Sequence, residues 1–291
     1  MAWNWRQLQP GQTARLCTFD LDSREKQVVL ENADSVLEAP NWTPDGKWLV
    51  YNQDGLIYRI NPDGGEPAVL DTGEVRDSNN DHVLSPDGGF LYVSAGGHLY
   101  EIPSSGGPAR KVSNDHAESF LYFLHGISPD GTTLAYVGMR LEGNSVGRVN
   151  IFTIPVGGGP DTRLTDHDAP DDGPEFSPDG DWIYFNSELT TGHMQLFRMR
   201  ADGSDISRVT HDDRVNWFPH VSPDGSELVY VSYGPGVTGH PADHNVILRR
   251  MSPDGGDSED LVHLFGGQGT MNVNSWAPDS RRFAYVEYPL P

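Results

Sequence analysis

Basic residues are scarce in this chain, and their scarcity restricts its partners. The 291 residues include 20 Lys and Arg against 42 Asp and Glu, which gives a formal net charge of −22. Such a charge repels phosphate backbones and anionic membrane surfaces, so neither nucleic acid nor a membrane is expected as a partner. It favours cations and basic partners instead. Small molecules, cations and proteins are the partners that remain.

Cysteines and long apolar runs are equally rare. Cys17 is the only cysteine, so no intramolecular disulfide is available. No run of 18 apolar residues predicts a membrane span, and the start of the chain, Met1 to Arg6, contains no apolar leader segment. These absences favour a cytoplasmic location. A periplasmic protein whose leader has been trimmed would look the same.

Glycine and proline, by contrast, are abundant, and they recur in a repeated turn. The chain contains 33 Gly and 22 Pro, which indicates many turns and short strands. Proline at the first corner of a turn, followed by Asp-Gly, is favourable turn chemistry. Five such turns occur, at Thr43–Gly46, Ser85–Gly88, Ser128–Gly131, Ser177–Gly180 and Ser222–Gly225, and a sixth, Ala277–Ser280, has Ser in place of the glycine.

Apolar strands alternate with these turns in a fixed order. An aromatic and β-branched segment follows each turn, as in Trp48–Tyr51 and Leu228–Val231. A second class of turn, such as Asn61–Gly64 and Ser252–Gly255, interleaves with the first. Each unit therefore has four strands, A to D, with the proline turn between A and B. Four strands in roughly 40 to 50 residues are typical of a β-propeller blade, with the aromatic side chains of strands B and C between blades.

The two ends of the chain set the number of blades. The chain begins with a C–D pair, Arg15–Leu21 and Gln27–Leu30, and ends with an A–B pair, Ser275–Val286. We therefore predict an all-β, single-domain, six-bladed propeller over residues 1–291. Its last blade would be closed by strands from both termini, which removes exposed sheet edges. A closed propeller needs no neighbour, so a monomer is expected.

These repeats resemble those of a known family. The Ser-Pro-Asp-Gly turn followed by an apolar-x-Tyr strand is similar to the TolB-type propeller repeat, and so is the acidic stretch Leu164–Asp168 before a strand A. The resemblance covers nearly the whole chain and implies the six-bladed fold. TolB is an exported, protein-binding component of a cell-envelope complex, with an extra N-terminal domain that we expect this chain to lack. The resemblance therefore implies the fold more strongly than the function.

The innermost strands supply the candidate site. We expect the positions just before each proline turn to line the channel mouth, on the face formed by the B–C and D–A loops. These positions are Asn41, His82, His125, Glu175, His220 and Asn274. Imidazoles and a carboxylate on one axis suit a divalent metal such as Zn, Mn, Fe or Ca, with ligands His82, His125, Glu175 and His220. Asn41 and Asn274 would be ligand-binding neighbours. The alternative is a polar channel filled with water.

Two further segments add candidates on that face. The long B–C loop Gly234–Asn245 contains His240 and His244, which are candidate acid/base groups; alternatively, Pro and Gly simply shape a surface loop. Arg148 is one of the few cations there. It is a candidate to bind a substrate carboxylate, with a structural salt bridge as the alternative.

Two functions fit this pattern, and whether the protein is an enzyme is left open. The first is a binding propeller for a small molecule or a protein, whose acidic loops, including Asp81 and Asp166–Asp172, attract a basic segment. The second is a metal-dependent carbohydrate-active enzyme, because the repeats and the His-rich channel also resemble propeller lyases that cleave acidic oligosaccharides. That resemblance implies a metal on the sugar acid and His240 or His244 as the base. The charge of −22 makes a neutral sugar equally consistent.

Overall fold

The computed structural model describes residues 6–143 and 145–291. Residues 1–5, on which the prediction of no leader segment partly rests, lie outside the described residues. No helix in the described ranges is long and apolar enough to cross a membrane.

The described chain forms six antiparallel sheets arranged as blades. Blade 1 contains β3 (Glu38–Trp42), β4 (Leu49–Gln53), β5 (Leu56–Ile60) and β6 (Ala68–Val69). Blade 2 contains β7 (Ser78–Leu84), β8 (Phe90–Ala95), β9 (His98–Pro103) and β10 (Arg110–Lys111). Blade 3 contains β11 (Phe120–Ile127), β12 (Thr133–Glu142), β13 (Ser145–Pro155) and β14 (Thr162–Arg163). Blade 4 contains β15 (Asp171–Phe176), β16 (Trp182–Ser187), β17 (Gln195–Arg200) and β18 (Ser207–Arg208). Blade 5 contains β19 (Val215–Val221), β20 (Leu228–Tyr233), β21 (Ala242–Met251) and β22 (Glu259–Gly267).

Blade 6 joins the two ends of the chain. It consists of β23 (Arg282–Glu287), β1 (Ala14–Asp20) and β2 (Lys26–Asn32), with β1 in the middle. The six-bladed propeller closed by strands from both termini is thereby confirmed. Its innermost position differs from the prediction, because only a bridge between Trp276 and Phe283 takes the place of a regular strand.

The repeated turn is stabilised by its own side chains. In blade 2, Ser85 Oγ donates to Asp87 Oδ1 at 2.6 Å and accepts from the Phe90 amide at 2.9 Å. The Gly88 amide closes the turn on the Ser85 carbonyl at 2.8 Å, with a left-handed φ of 71° that favours glycine. The recurring aspartates are therefore structural groups of the turns rather than members of a site.

The apolar core lies between blades, as the aromatic pattern predicts. Each of the six buried clusters in the described ranges combines side chains from neighbouring blades. The proline turns ring one end of the central channel, which we call the lower face. Because neighbouring strands run antiparallel, the B–C and D–A loops lie at the other end, which we call the upper face.

Candidate functional site

The inner strands are irregular, and this decides which side chains enter the channel. The pairing register shifts in β3, β7, β11, β15 and β19. Three residues at these bulges have left-handed backbone: Ala39 (φ 49°), Gly173 (φ 61°) and Phe218 (φ 55°). A bulge turns the strand and re-aims its side chains. Left-handed Ala and Phe are strained, and such strain is concentrated at functional sites.

The bulges and the strand direction correct the expected position of the polar ring. The residues just before each proline turn lie at the end of the inner strand, towards the lower face, rather than at its beginning. Asn41, Glu175 and Asn274 line a cavity there of about 370 Å³, which we call the lower pocket. The upper mouth is instead lined by residues at or before the bulges.

A second cavity, of about 390 Å³, opens at the upper face; we call it the upper pocket. Its polar side is formed by Arg6, Glu38, Asn79, Asn80, Asp81, His125, Asp172, His240, Gln268 and Asn272. Its apolar wall is formed by Phe123, Val137, Met139, Val149 and Phe218. His125 contributes to both pockets and therefore lies between them.

Two histidines meet one carboxylate in the upper pocket. His125 Nε2 lies 3.1 Å from Asp172 Oδ1, and His240 Nε2 lies 3.8 Å from Asp172 Oδ2. A second carboxylate, Asp81, approaches His125 Nε2 at 3.9 Å. The other ring nitrogen of His125 faces the Asn272 carbonyl at 3.1 Å, so both nitrogens face acceptors, as in a protonated ring.

In this arrangement, the pKa values of the two histidines are shifted in opposite directions. Burial alone lowers the pKa of His125, but the Asp81 charge and the hydrogen bond to Asp172 outweigh it and raise the pKa to about 9. Burial raises the pKa of Asp81 to about 6, with a further contribution from Asp172. Burial likewise raises the pKa of Glu38 to about 7, against the Arg6 charge. Burial lowers the pKa of His240, so near neutral pH His125 is the charged and His240 the neutral histidine.

Aromatic rings hold His240 over the pocket. Its ring centroid lies 4.4 Å from that of Trp217 and 5.3 Å from that of Phe218, both in edge contacts. The Phe218 ring also stacks on His125 at 5.7 Å. The long B–C loop thus delivers His240 to the channel mouth. His244 does not line the pocket; it lies near the start of β21, and its Nδ1 faces the Ala242 carbonyl at 2.9 Å.

The lower pocket contains a self-contained polar network. Glu175 accepts hydrogen bonds from His220 Nδ1 (2.6 Å), Asn274 Nδ2 (2.6 Å) and the Val221 amide (3.0 Å). His220 Nε2 faces the Met271 carbonyl at 3.3 Å. Each polar atom of Glu175 and His220 therefore has a protein partner.

The four predicted metal ligands do not form one ligand group. His125 faces Asp172, and His220 is paired with Glu175. His82 is fully buried outside both pockets, where burial lowers its pKa to about 4 against a small contribution from the Val50 backbone. Within residues 6–143 and 145–291, no three His, Cys, Asp or Glu side chains are arranged to hold a metal ion. The residues present do not fit the expected zinc, manganese, iron or calcium centre.

Arg148 lies outside both pockets, in a surface network. Its guanidinium contacts Asp166 Oδ1 at 3.0 Å and Asp168 Oδ1 at 2.8 Å. The salt-bridge interpretation is therefore the one that the geometry favours, and Arg148 does not reach a ligand in the upper pocket.

An Arg148→Ala variant should be close to neutral. Ion pairs between half-exposed side chains contribute little, so we expect the free energy of unfolding to change by no more than ~0.5 kcal/mol. Urea unfolding monitored by tryptophan fluorescence measures this. A loss well above that value would mean that the pair has a structural role beyond the surface.

Sequence reasoning missed Glu38, Phe218 and the apolar wall of the upper pocket. A signal was present, because Pro40, Pro174 and Pro219 stand inside the predicted inner strands of three blades. A proline within a strand marks an edge or a bulge. Each proline directly follows one of the left-handed residues, and it therefore predicts where the inner strand turns.

The fold and the two pockets define a six-bladed propeller with a candidate binding site at its upper mouth. Residues 126–285 match the family model described as the TolB beta propeller domain. An uncharacterised protein of Agrobacterium fabrum is 42% identical over 276 residues, or 93% of this chain and 90% of the relative. The chain belongs to the TolB β-propeller family.

Solved structures extend this comparison. A structure from Agrobacterium tumefaciens that carries a provisional TolB name is similar with a TM-score of 0.88 at 41% identity, covering 96% of this chain and 99% of that one. An oligogalacturonate lyase in complex with manganese is similar with a TM-score of 0.57 at 16% identity, and the match covers 86% of this chain and 67% of the lyase. This second likeness extends to the fold alone.

Proposed function

We propose that this protein is a binding module whose upper pocket receives a small molecule or a side chain of a protein partner. The observation that carries the proposal is the convergence of Asp81, His125, Asp172 and His240 on one cavity that also has an apolar wall. A concave site of about 390 Å³ with a few converging polar groups is of the size that suits small ligands. The left-handed backbone at Ala39 and Phe218 supports the same site.

Membership of the TolB propeller family supports a protein as the source of the bound group. TolB-like propellers are interaction modules, and the pocket opens among the upper-face loops, where a partner has access. The acidic residues of these loops favour a partner with basic segments. Electrostatic attraction of this kind would be weakened by added salt.

A metal-dependent carbohydrate-active enzyme is the second candidate, and its support is weaker. It rests on the fold likeness to a manganese-bound lyase. The described residues place His82, His125, Glu175 and His220 in different partnerships rather than around one ion. Elemental analysis of the purified protein tests this candidate, because a stoichiometric metal that is lost in a His125→Ala variant would favour it.

Two substitutions on the same strand of blade 3 test the binding site. Val149 is part of the apolar wall, whereas Val146 is 61% exposed and lies outside the pocket. Val149→Trp should fill the pocket, and Val146→Trp adds the same bulk elsewhere. A panel of alkylamines, carboxylic acids, neutral monosaccharides and charged tripeptides is screened by ligand-observed NMR against the wild-type protein. Compounds that bind should lose at least about tenfold in affinity in Val149→Trp and none in Val146→Trp.

Equal binding to both variants would place the site elsewhere on the molecule. If no compound and no protein partner binds the wild-type chain, the proposal fails. A partner captured by the wild-type protein and by Val146→Trp, but not by Val149→Trp, would support it.

A further inference from the structure

The lining of the upper pocket combines two kinds of side chain. Glu38, Asp81 and Asp172 contribute carboxyl groups. Val137, Met139, Val149 and the rings of Phe123 and Phe218 form the apolar wall. A ligand that satisfies both kinds carries a hydrogen-bond-donating, positively charged head on an aliphatic stem.

We propose that the upper pocket binds a primary alkylammonium group, whose head lies among Glu38, Asp81 and Asp172 and whose stem packs on the apolar wall. This inference rests on the proposed function, because it names the ligand class of that same site. A free alkylamine and a lysine side chain of a protein partner present the same chemistry.

The charges around the carboxylates leave room for a cation. The charged and titratable groups that face them are Arg6, Asp54, His125, His240 and Tyr288. His125 and Arg6 supply two positive charges for these three carboxyl groups, so one negative charge is left when all three are ionised. Arg6 is already engaged, since its guanidinium donates to Asp243 Oδ1 at 2.7 Å and to the Gln268 carbonyl at 2.9 Å, and lies 3.7 Å from the centre of the Tyr288 ring.

Asp81 offers the acceptor that the ammonium would use. This residue is only 4% exposed. Its Oδ2 accepts from Asn79 Nδ2 at 2.6 Å. Its Oδ1 lies 3.9 Å from His125 Nε2, which is beyond hydrogen-bond distance, and Asp81 lines the upper pocket. An ammonium head in the pocket would donate a charge-assisted hydrogen bond to this oxygen.

The shape of the site favours an organic cation over a bare metal ion. A divalent cation needs several oxygen or nitrogen ligands at about 2.0–2.6 Å. No group of three ionisable side chains in the described part of the chain has that arrangement. An ammonium head forms hydrogen bonds at about 2.8 Å, and its methylene groups would bury the apolar wall, which a metal ion leaves uncovered.

Binding should depend on pH in a defined direction. The carboxyl groups must be ionised to hold an ammonium, and burial raises the pKa of Asp81 to about 6 and that of Glu38 to about 7. An alkylamine stays protonated throughout this range, with a pKa of about 10.4. Affinity should therefore fall as the pH is lowered from 8 to 5, by about tenfold per pH unit below the pKa of each participating carboxyl.

Isothermal titration calorimetry at pH 8 provides the test. The probes are n-butylamine, n-butanol of similar shape without charge, methylamine without a stem, and butyrate of opposite charge. A tripeptide with a central lysine and its Nε-acetylated form test the protein source. Butylamine should bind at least about tenfold more tightly than the other three small probes. The lysine tripeptide should bind and its acetylated form should not.

Asp81→Asn is the decisive variant, because it keeps the side chain's shape and removes its charge. It should weaken butylamine binding at least about tenfold, whereas Asp168→Asn, at an exposed acid outside the pocket, should leave it unchanged. Because burial disfavours the charged form of Asp81, Asp81→Asn should raise the melting temperature at pH 8 and leave it unchanged at pH 4. Weaker binding together with higher stability excludes simple misfolding.

The outcomes separate the inference from the proposed function. One contrary result is that butanol or butyrate binds tightly, with binding that is lost in Val149→Trp and unchanged in Asp81→Asn. That result would still support a binding site in the upper pocket but would overturn the alkylammonium assignment. Failure of butylamine and the lysine tripeptide to bind would also overturn it. If none of the probes and no protein partner binds, both the alkylammonium assignment and the proposed function are overturned. Preference for the tripeptide over butylamine identifies a protein as the source, and the reverse preference identifies a free amine.

Discussion

Replacing Glu175 with Ala is expected to destabilise the protein by about 3–5 kcal/mol, because it leaves the buried His220 ring without its partner. The Glu175 carboxylate is bonded to His220, Asn274 and the Val221 amide in the lower pocket. Glu175→Gln keeps the shape and one acceptor, so about half of that loss is expected. Urea unfolding at pH 7, monitored by far-UV circular dichroism, gives both values.

The sign of this effect discriminates between two roles of Glu175. A carboxylate reserved for a metal would be strained in the metal-free protein, and its removal would leave stability unchanged or increase it. A structural carboxylate gives a loss. Asp168→Ala, which removes an exposed acid, is the control and should change little. Stability of the Glu175→Ala variant equal to that of the control would contradict the structural role.

Removal of the closing strand should have the largest effect on the fold. In blade 6, β23 pairs with β1 along its whole length, from Arg15 opposite Glu287 to Asp20 opposite Arg282. A chain that ends at Arg281 leaves β1 without this partner and exposes the core between blades 5 and 6. We expect it to lose the cooperative unfolding transition, as seen by thermal denaturation.

A point substitution tests the same closure without shortening the chain. Phe283 is fully buried between Phe19 and Trp276, so Phe283→Ala should lower the free energy of unfolding by about 3–5 kcal/mol. Phe90, at the start of β8, is 39% exposed, so Phe90→Ala should lower the free energy of unfolding by much less. Equal losses in the two variants, or a cooperative transition in the shortened chain, would show that the two termini do not close the ring.

The two pockets give the channel an asymmetric chemistry. The lower pocket pairs its carboxylate with hydrogen-bond donors from three residues. In the upper pocket, Asp81 is buried and Glu38 is half-buried, both have raised pKa values, and each accepts from one asparagine, Asn79 or Asn80. A protein gains nothing in stability from such groups, and retention of unfavourable charge is typical of a site that binds something.

Local chemistry explains why the fold was predictable. Each proline turn is built from neighbouring residues, as Ser85, Asp87 and Gly88 show, and the strand that follows carries its own alternating pattern. Because the turn and its strand recur six times, the repeat is evident from the sequence. The chain begins with strands C and D of a blade and ends with strands A and B, which predicts that the two termini close the ring together.

The candidate site was predictable only in part, because it depends on register. His125 and His240, which we expected at the channel mouth, line the upper pocket, and Asp81 and Asp172 lie in acidic segments noted from the sequence. Glu175, Asn41 and Asn274 point into the lower pocket, and His82 into the core. A shift of one residue in a strand moves a side chain to the opposite face, and bulges in five inner strands introduce such shifts.

The sequence by itself determined the class of this protein: the repeat length, the proline turns, the number of blades and the closure by both termini. Only the tertiary structure decided which polar residues meet. Turns and strands arise from contacts between residues close in sequence, whereas the upper pocket joins residues from Arg6 to Asn272 across several blades. Their convergence depends on the ring geometry and on the left-handed residues at the bulges, which act together only in the folded chain.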